Sequence, residues 1–382
     1  MLVVNSSGMQ RQFLLLTLLG TLCIGVHAAP PGRFLPDANC TTSLCHGGAG
    51  ELREQHSIWS RKDMHARSYA TLTTARSEQI MRALGGGDAR TDTRCTTCHA
   101  PNHGVPAERF VKSPPDHKIG VSCQNCHGPA EHWLRSHTRH DYSHGQRVQS
   151  GLRELRSLYH RANACVACHQ NVDQPLLKAG HPELIFELDG QTLAEPRHWI
   201  ERRAPDYSPA EAWLIGQAVA LREMTGKAAR EQNPDPTFID RWAALIWLLQ
   251  PMSNIDKELP SLTDLRPDPR SAGEQIAKID RFAQAIEGGW RDHFESALKS
   301  FAGRSGEFAA TGRSPNLKSV YLQARRAERL VLAIDRLVSA LDRPDAAKLN
   351  ADVQKLFDLS QSTRYFSPAD FARQLQELAK KL

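Results

Sequence analysis

Four times in this chain a pair of cysteines is followed at once by a histidine. The segments are Cys40-Thr-Thr-Ser-Leu-Cys45-His46, Cys95-Thr-Thr-Cys98-His99, Cys123-Gln-Asn-Cys126-His127 and Cys165-Val-Ala-Cys168-His169. Two thiols at this spacing can add to the two vinyl groups of one porphyrin, and the next residue's imidazole then reaches the iron. Three copies have the C-x-x-C-H form. The first is stretched by two residues that must bulge out between the sulfurs. Zinc would take the cysteine pairs but has no use for a histidine after every second cysteine. Redox dithiols of the C-x-x-C type sit on a thioredoxin-like βαβ background, and no such pattern is present. The expected cofactor is therefore four covalently attached haem c groups, on Cys40, Cys45, Cys95, Cys98, Cys123, Cys126, Cys165 and Cys168, with His46, His99, His127 and His169 as proximal iron ligands.

The sixth ligand decides what each iron can do. A second imidazole commits iron to electron transfer, whereas an open position admits a small molecule. Ten further histidines lie between Cys40 and His181: His56, His65, His103, His117, His132, His137, His140, His144, His160 and His181. Met64 and Met81 are the competing thioethers. Bis-histidine ligation is the default expectation. His140 and His144, in a polar run, read as solvated loop, and His103, His117 and His132 as weaker candidates.

The elements that must position these groups are few. Cys40 to His181 allows about 36 residues per haem, too few for a separate core around each one, so the haems are expected to share one interior. Loops such as Gly85-Gly86-Gly87 and Ser113-Pro114-Pro115 interrupt regular structure. From about residue 206 the pattern turns helical and cysteine-free. Ser208-Pro209-Ala210-Glu211 is a capping box with proline at the first helical position, and Ser271-Ala-Gly-Glu274 and Ser367-Pro-Ala-Asp370 make similar starts. Phe238–Leu249 and Leu317–Leu341 have helical apolar spacing. Asn254–Arg270, with three prolines, reads as a loop. The fold expected is mainly α: a loop-rich multihaem domain over 29–205, then a bundle of four to six helices over 206–382. In that second part the Trp and Leu stripes read as core, His198 and His293 as structural, and a partner-docking surface rests on position alone.

The chain resembles the tetrahaem cytochrome c-554 family, exported multihaem cytochromes known as electron acceptors of hydroxylamine oxidoreductase. The resemblance runs from about residue 38 to 185. It lies in His56-Ser-Ile-Trp59 leading to Met64-His65-Ala66, in Gly120-Val-Ser-Cys123-Gln-Asn-Cys126-His127-Gly128-Pro129, and in His160-Arg-Ala-Asn-Ala-Cys165. It implies that His137 caps the first haem, opposite His46, that His65 caps the third, opposite His127, and that His160 caps the fourth, opposite His169. It further implies that the second haem, on His99, lacks a protein sixth ligand. The chain departs from the family in its stretched first motif and in Lys178-Ala-Gly180-His181-Pro182, a tight setting that could aim His181 at metal. If His181 reaches the second haem, the open position is gone.

The 382 residues carry 48 Lys and Arg against 42 Asp and Glu, a net charge of +6. The excess partly offsets eight haem propionates, a better use for it than nucleic acid. Residues 1–28 hold one cation, Arg11, an apolar run from Phe13 to Val26 and then Val26-His27-Ala28. That is the order of a signal peptide cleaved after Ala28, which implies export to the periplasm and discards Cys23. No later segment is long and apolar enough to span a bilayer. The reading preferred is an electron carrier between periplasmic donor and acceptor proteins. The alternative is a haem oxidoreductase acting on nitric oxide or hydroxylamine at an open second haem.

Overall fold

The computed structural model describes residues 32–112, 118–199, 207–231, 233–309, 317–341 and 344–382. The expected signal segment, His117 and the expected domain boundary at 205/206 lie outside them. Gly32–Leu382 form one compact unit. The protein is mainly α, and among the described residues the one β contact is an isolated parallel bridge between Phe34 and Phe110.

The first half is built from short helices separated by loops: α1 (Gln55–Lys62), α2 (Ser68–Thr71), α3 (Ala75–Ala83), α4 (Thr93–His99), α5 (Cys123–His127), α6 (His144–Gln149), α7 (Leu158–His169), α8 (Gln174–Lys178) and α9 (Leu188–Ala194). Three cysteine motifs lie at the ends of helices α4, α5 and α7, so the histidine closes the last turn in each. Local chemistry sets the starts. Asp92 accepts from the Arg94 N–H, and Ser157 accepts from the His160 N–H. Each takes up one of the backbone donors that a helix start leaves without a partner. Few apolar side chains are buried here: a small cluster of Leu72, Met81 and Ala89 is packed by Tyr69, Leu84 and Cys95.

The second half supplies α10 (Pro209–Arg230), α11 (Pro236–Leu249), α12 (Met252–Ile255), α13 (Ala272–Ile286), α14 (Phe294–Ala302), α15 (Gly306–Ala309), α16 (Leu317–Ala340), α17 (Ala346–Ser360) and α18 (Pro368–Ala379). Six of these run to twelve residues or more, matching the expected bundle. Ser208 and Ser367 cap α10 and α18 as the sequence suggests, accepting from the Glu211 and Asp370 N–H groups. Ser271 does not cap α13; its hydroxyl donates to the Asp268 carbonyl instead. Helix α10 is apolar almost all round, with Trp213, Leu214, Ile215 and Leu221 fully buried. A helix of that kind is a core helix. It packs against α7, α9, α11, α13 and α16.

The main core does not stop at the bundle. Leu158, Ala162 and Val166 of α7, which carries the fourth cysteine motif, belong to the same cluster as Trp213 and Phe282. Each of the larger of these side chains, withdrawn from water, contributes on the order of 2 kcal/mol. Polar ties reinforce the junction. Tyr159 donates to Asp280, and the Arg222 guanidinium reaches Asp280 at 2.6 Å as well as Asn163.

Candidate functional site

Each of the four motif histidines faces a second imidazole. His46 and His137 have ring centroids 6.3 Å apart, His65 and His169 5.9 Å, His99 and His181 6.4 Å, and His127 and His198 6.5 Å. Two metal–nitrogen bonds of about 2 Å on opposite sides of one ion, each followed by roughly 1 Å from nitrogen to ring centre, put two centroids about 6 Å apart. All four pairs have that spacing.

The second ring nitrogens tell the same story. The Nδ1 atoms lie at hydrogen-bond distance from Gln55 Oε1 (His46, 3.0 Å), Asp63 Oδ1 (His65, 3.0 Å), the Ser68 carbonyl (His99, 3.1 Å), the Leu134 carbonyl (His137, 2.5 Å), the Pro182 carbonyl (His181, 2.8 Å) and the Pro196 carbonyl (His198, 3.2 Å). A seventh, His169 Nδ1, meets Gln191 Nε2 at 3.2 Å, while Gln191 Oε1 is buried without a partner. A half-turn of that amide makes Oε1 the acceptor and resolves both problems. A proton held at Nδ1 leaves Nε2 as a lone-pair donor, the arrangement that metal-bound histidines use.

Burial keeps several of these rings neutral, as ligation requires. His99 and His169 are lowered by burial, and His127 is pushed down to about 4 by burial and then by the neighbouring His198, His46, Arg153 and His137. His65 moves the other way, raised by its hydrogen bond to Asp63. None of the eight described cysteines is in a disulfide. Burial raises Cys40 and Cys126 to about 12 and Cys123 and Cys165 to about 11. Sulfurs of different motifs are neighbours. Cys40 lies near Cys123, Cys126 near Cys165, and Cys98 near Cys168.

The stretched first motif closes without distortion of its ends. His46 N–H donates to the Cys40 carbonyl at 3.0 Å and Cys45 N–H to the Thr42 carbonyl at 2.9 Å, and the extra residues loop into solvent, Leu44 at 83% exposure. Glycine is demanded at two places nearby. A Cβ on Gly120 would lie 2.4 Å from both the His65 carbonyl and Ser68 Oγ. There the chain ahead of Cys123 runs against the turn that carries His65, and the Val121 N–H donates to the His65 carbonyl. Gly128, which ends α5 at φ +86°, would bring a Cβ to 2.7 Å from the Gly151 carbonyl. Trp59 is tied in by its Nε1–H, which donates to the Val121 carbonyl at 3.1 Å.

The structure redistributes three of the expected partners. His65 lies opposite His169, not His127. His160 is exposed on α7, its Nδ1 on Ser157 Oγ and its ring on Tyr159, with the fourth motif's histidine facing elsewhere. A histidine nine residues before His169 on one helix stands two and a half turns away and cannot reach across from the same axis. His198, expected to be structural, faces His127. It had no signal beyond its residue type, because it lies outside the family-like segment and lacks a cysteine context. His137 and His181 stand where the sequence allowed, opposite His46 and His99. Of the competing thioethers, Met64 is 69% exposed and Met81 is buried at 4.0 Å from Cys95 Sγ. His144 pairs with Glu154 at 2.5 Å.

Comparison with known proteins agrees with this chemistry. Residues 39–128 match the family model described as cytochrome c554 and c-prime. Cytochrome c-554 of Nitrosomonas europaea is 25% identical over 162 residues, covering 41% of this chain, and the chain spans 65% of that relative's length. No solved structure matches. Haem c with its iron is the cofactor of such proteins, and electron transfer their role. Through the segment that carries its first three cysteine motifs, the chain is similar to the cytochrome c-554 family.

Proposed function

We propose that the protein is an exported tetrahaem cytochrome that passes single electrons between periplasmic partners, every iron held by two histidines. The ligand sets are Cys40, Cys45, His46 and His137; Cys95, Cys98, His99 and His181; Cys123, Cys126, His127 and His198; and Cys165, Cys168, His169 and His65. The four imidazole pairs spaced 5.9–6.5 Å apart carry this reading. Bound haem supplies one-electron chemistry at a potential set by its axial ligands and their hydrogen bonds.

The chain's own residues orient and insulate. Asp63, Gln55, Gln191 and four backbone carbonyls fix the ring planes, so little rearranges when charge changes. The sulfur neighbours Cys40/Cys123, Cys126/Cys165 and Cys168/Cys98 support a relay in the order first, third, fourth, second site. His181 opposite His99 weighs against the alternative of nitric oxide or hydroxylamine chemistry at an open second haem. Among the described residues no helix is long and apolar enough to cross a membrane. The order of residues 1–28 supports export with cleavage after Ala28.

The test is the mass and ferric electron paramagnetic resonance of the protein made in a host that attaches haem c. The expected result is a chain beginning at Ala29, carrying four haems, all low-spin. A colourless protein overturns the reading entirely; one persistent high-spin iron in four restores the oxidoreductase alternative.

A further inference from the structure

His181 is held by a short, exposed turn. After α8 the chain reverses at Gly180 (φ +105°), where the His181 N–H donates to the Leu176 carbonyl at 2.9 Å and Arg76 donates to the Gly180 carbonyl at 2.9 Å. Two residues on, Glu183 leaves the turn and enters the helical half. Its Oε1 meets Arg241 Nη1 of α11 at 3.0 Å and its Oε2 meets Arg325 Nη2 of α16 at 2.7 Å. Both guanidinium side chains are largely buried, at 12% and 13% exposure. A third arginine, the buried Arg329, donates to Gln217 at 2.9 Å and adds its positive field at Glu183. One carboxylate thus anchors the turn to two helices distant in sequence. Each arginine meets one carboxylate oxygen, and charge-assisted contacts between partly buried groups are stronger than fully exposed pairs.

Beside the anchor lies an open cavity of about 260 Å³, lined by Gln174, Lys178, His181, Glu183, Arg241 and Tyr321. The His181 ring borders this cavity, so space into which it could withdraw adjoins it. His99, by contrast, is fixed in α4 directly after Cys98 and has its Nδ1 on the Ser68 carbonyl. In this pair one imidazole is locked by the covalent motif and the other is locked through Glu183.

We propose that Arg241 and Arg325 are positioning residues which, through Glu183, keep His181 on the second haem, and that this haem opens to a small exogenous ligand when the clamp is loosened. The proposal rests on the reading that His99 and His181 hold one iron. The helical half then acts as a latch on the second site as well as packing against α7. Closure costs the turn its freedom, and the clamp offsets that cost with two ion pairs far from the iron. A variant that weakens them raises the population with His181 withdrawn, and apparent affinity for an outside ligand rises in proportion.

The probe is carbon monoxide added to the reduced, fully haem-loaded protein, read by visible spectroscopy beside the ferric spin state and melting temperature. Wild type should bind none. His181→Ala should give one high-spin, carbon monoxide-binding haem of the four; if it leaves all four low-spin, the His99/His181 pairing is wrong and the clamp falls with it. With that pairing upheld, the double variant Arg241→Gln/Arg325→Gln should bind carbon monoxide at the same haem at concentrations at least roughly tenfold below the highest at which wild type still binds none. The other three haems should be unchanged. Double-variant protein as closed as wild type overturns the clamp, and so does opening spread over several haems, which marks a merely structural loosening. Should the double variant fail to accumulate, Glu183→Gln decides by the same criteria.

Discussion

At the residue scale the chemistry depends on which nitrogen of each imidazole is free. Nδ1 is occupied by a carboxylate, an amide or a backbone carbonyl in seven of the eight paired rings, and that occupancy leaves Nε2 as the donor in the proposed ligand sets. His160 also has its Nδ1 occupied, by Ser157 Oγ, so what separates it from His198 is the ring that each one faces. His198 faces His127 at 6.5 Å between centroids, and His160 faces solvent. Replacing His198 by Ala should therefore convert one low-spin haem to high-spin, whereas His160→Ala should leave the ferric resonance spectrum of the protein as it was. The reverse pattern would reinstate His160 as the fourth haem's cap and remove His198 from the site.

At the element scale α7 joins the two halves of the molecule. It ends in the fourth motif's Cys165, Cys168 and His169, yet its inner face is Leu158, Ala162 and Val166, buried against the bundle. Its start is pinned by Tyr159 and Arg222 on Asp280. Burial alone would raise the Asp280 carboxyl, but the hydrogen bonds from Arg222 and Tyr159 outweigh it and hold the group below the usual carboxylate range. A depressed folded-state pKa means that the contribution is present above the unfolded value, near pH 4, and is lost as pH falls through the folded value. Wild type should lose stability along that acid limb, and Asp280→Asn should flatten it while lowering stability at neutral pH by roughly 1–3 kcal/mol. Thermal melts across pH 3 to 7 measure both. An acid limb as steep in the variant as in wild type would assign it to other carboxylates.

At the scale of the whole molecule, the described residues from Gly32 onward form one compact unit, and the helical half supplies interior to the haem-binding half. Truncation after residue 199 would strip α10 from α7 and α9, expose Leu158, Val166, Phe186 and Leu188, and free Glu183 from both arginines. Such a chain should attach haem poorly and be cleared by proteolysis, because the loss of several buried apolar contacts, each worth about 2 kcal/mol, is comparable to the usual margin of stability. Recovery of a soluble truncated protein with four low-spin haems would show that the first half stands alone, and would return the bundle to a partner-docking role.

The sequence alone determined the covalent chemistry, because the sulfurs that clamp one porphyrin and the imidazole that follows them are neighbours along the chain, and local spacing is all that this chemistry needs. It also determined the helical second half, through capping serines and apolar periodicity that are equally local. Which distant imidazole faces which motif was settled only by the tertiary structure. His65 reaches His169 across more than a hundred residues, His198 reaches His127 from beyond the family-like segment, and His181 stays opposite His99 with its turn tied to helices 58 and 142 residues farther on. Sequence spacing carries no information about such pairings, since they are fixed by how α4, α5 and α7 pack and by ion pairs that form only once the bundle has closed around them.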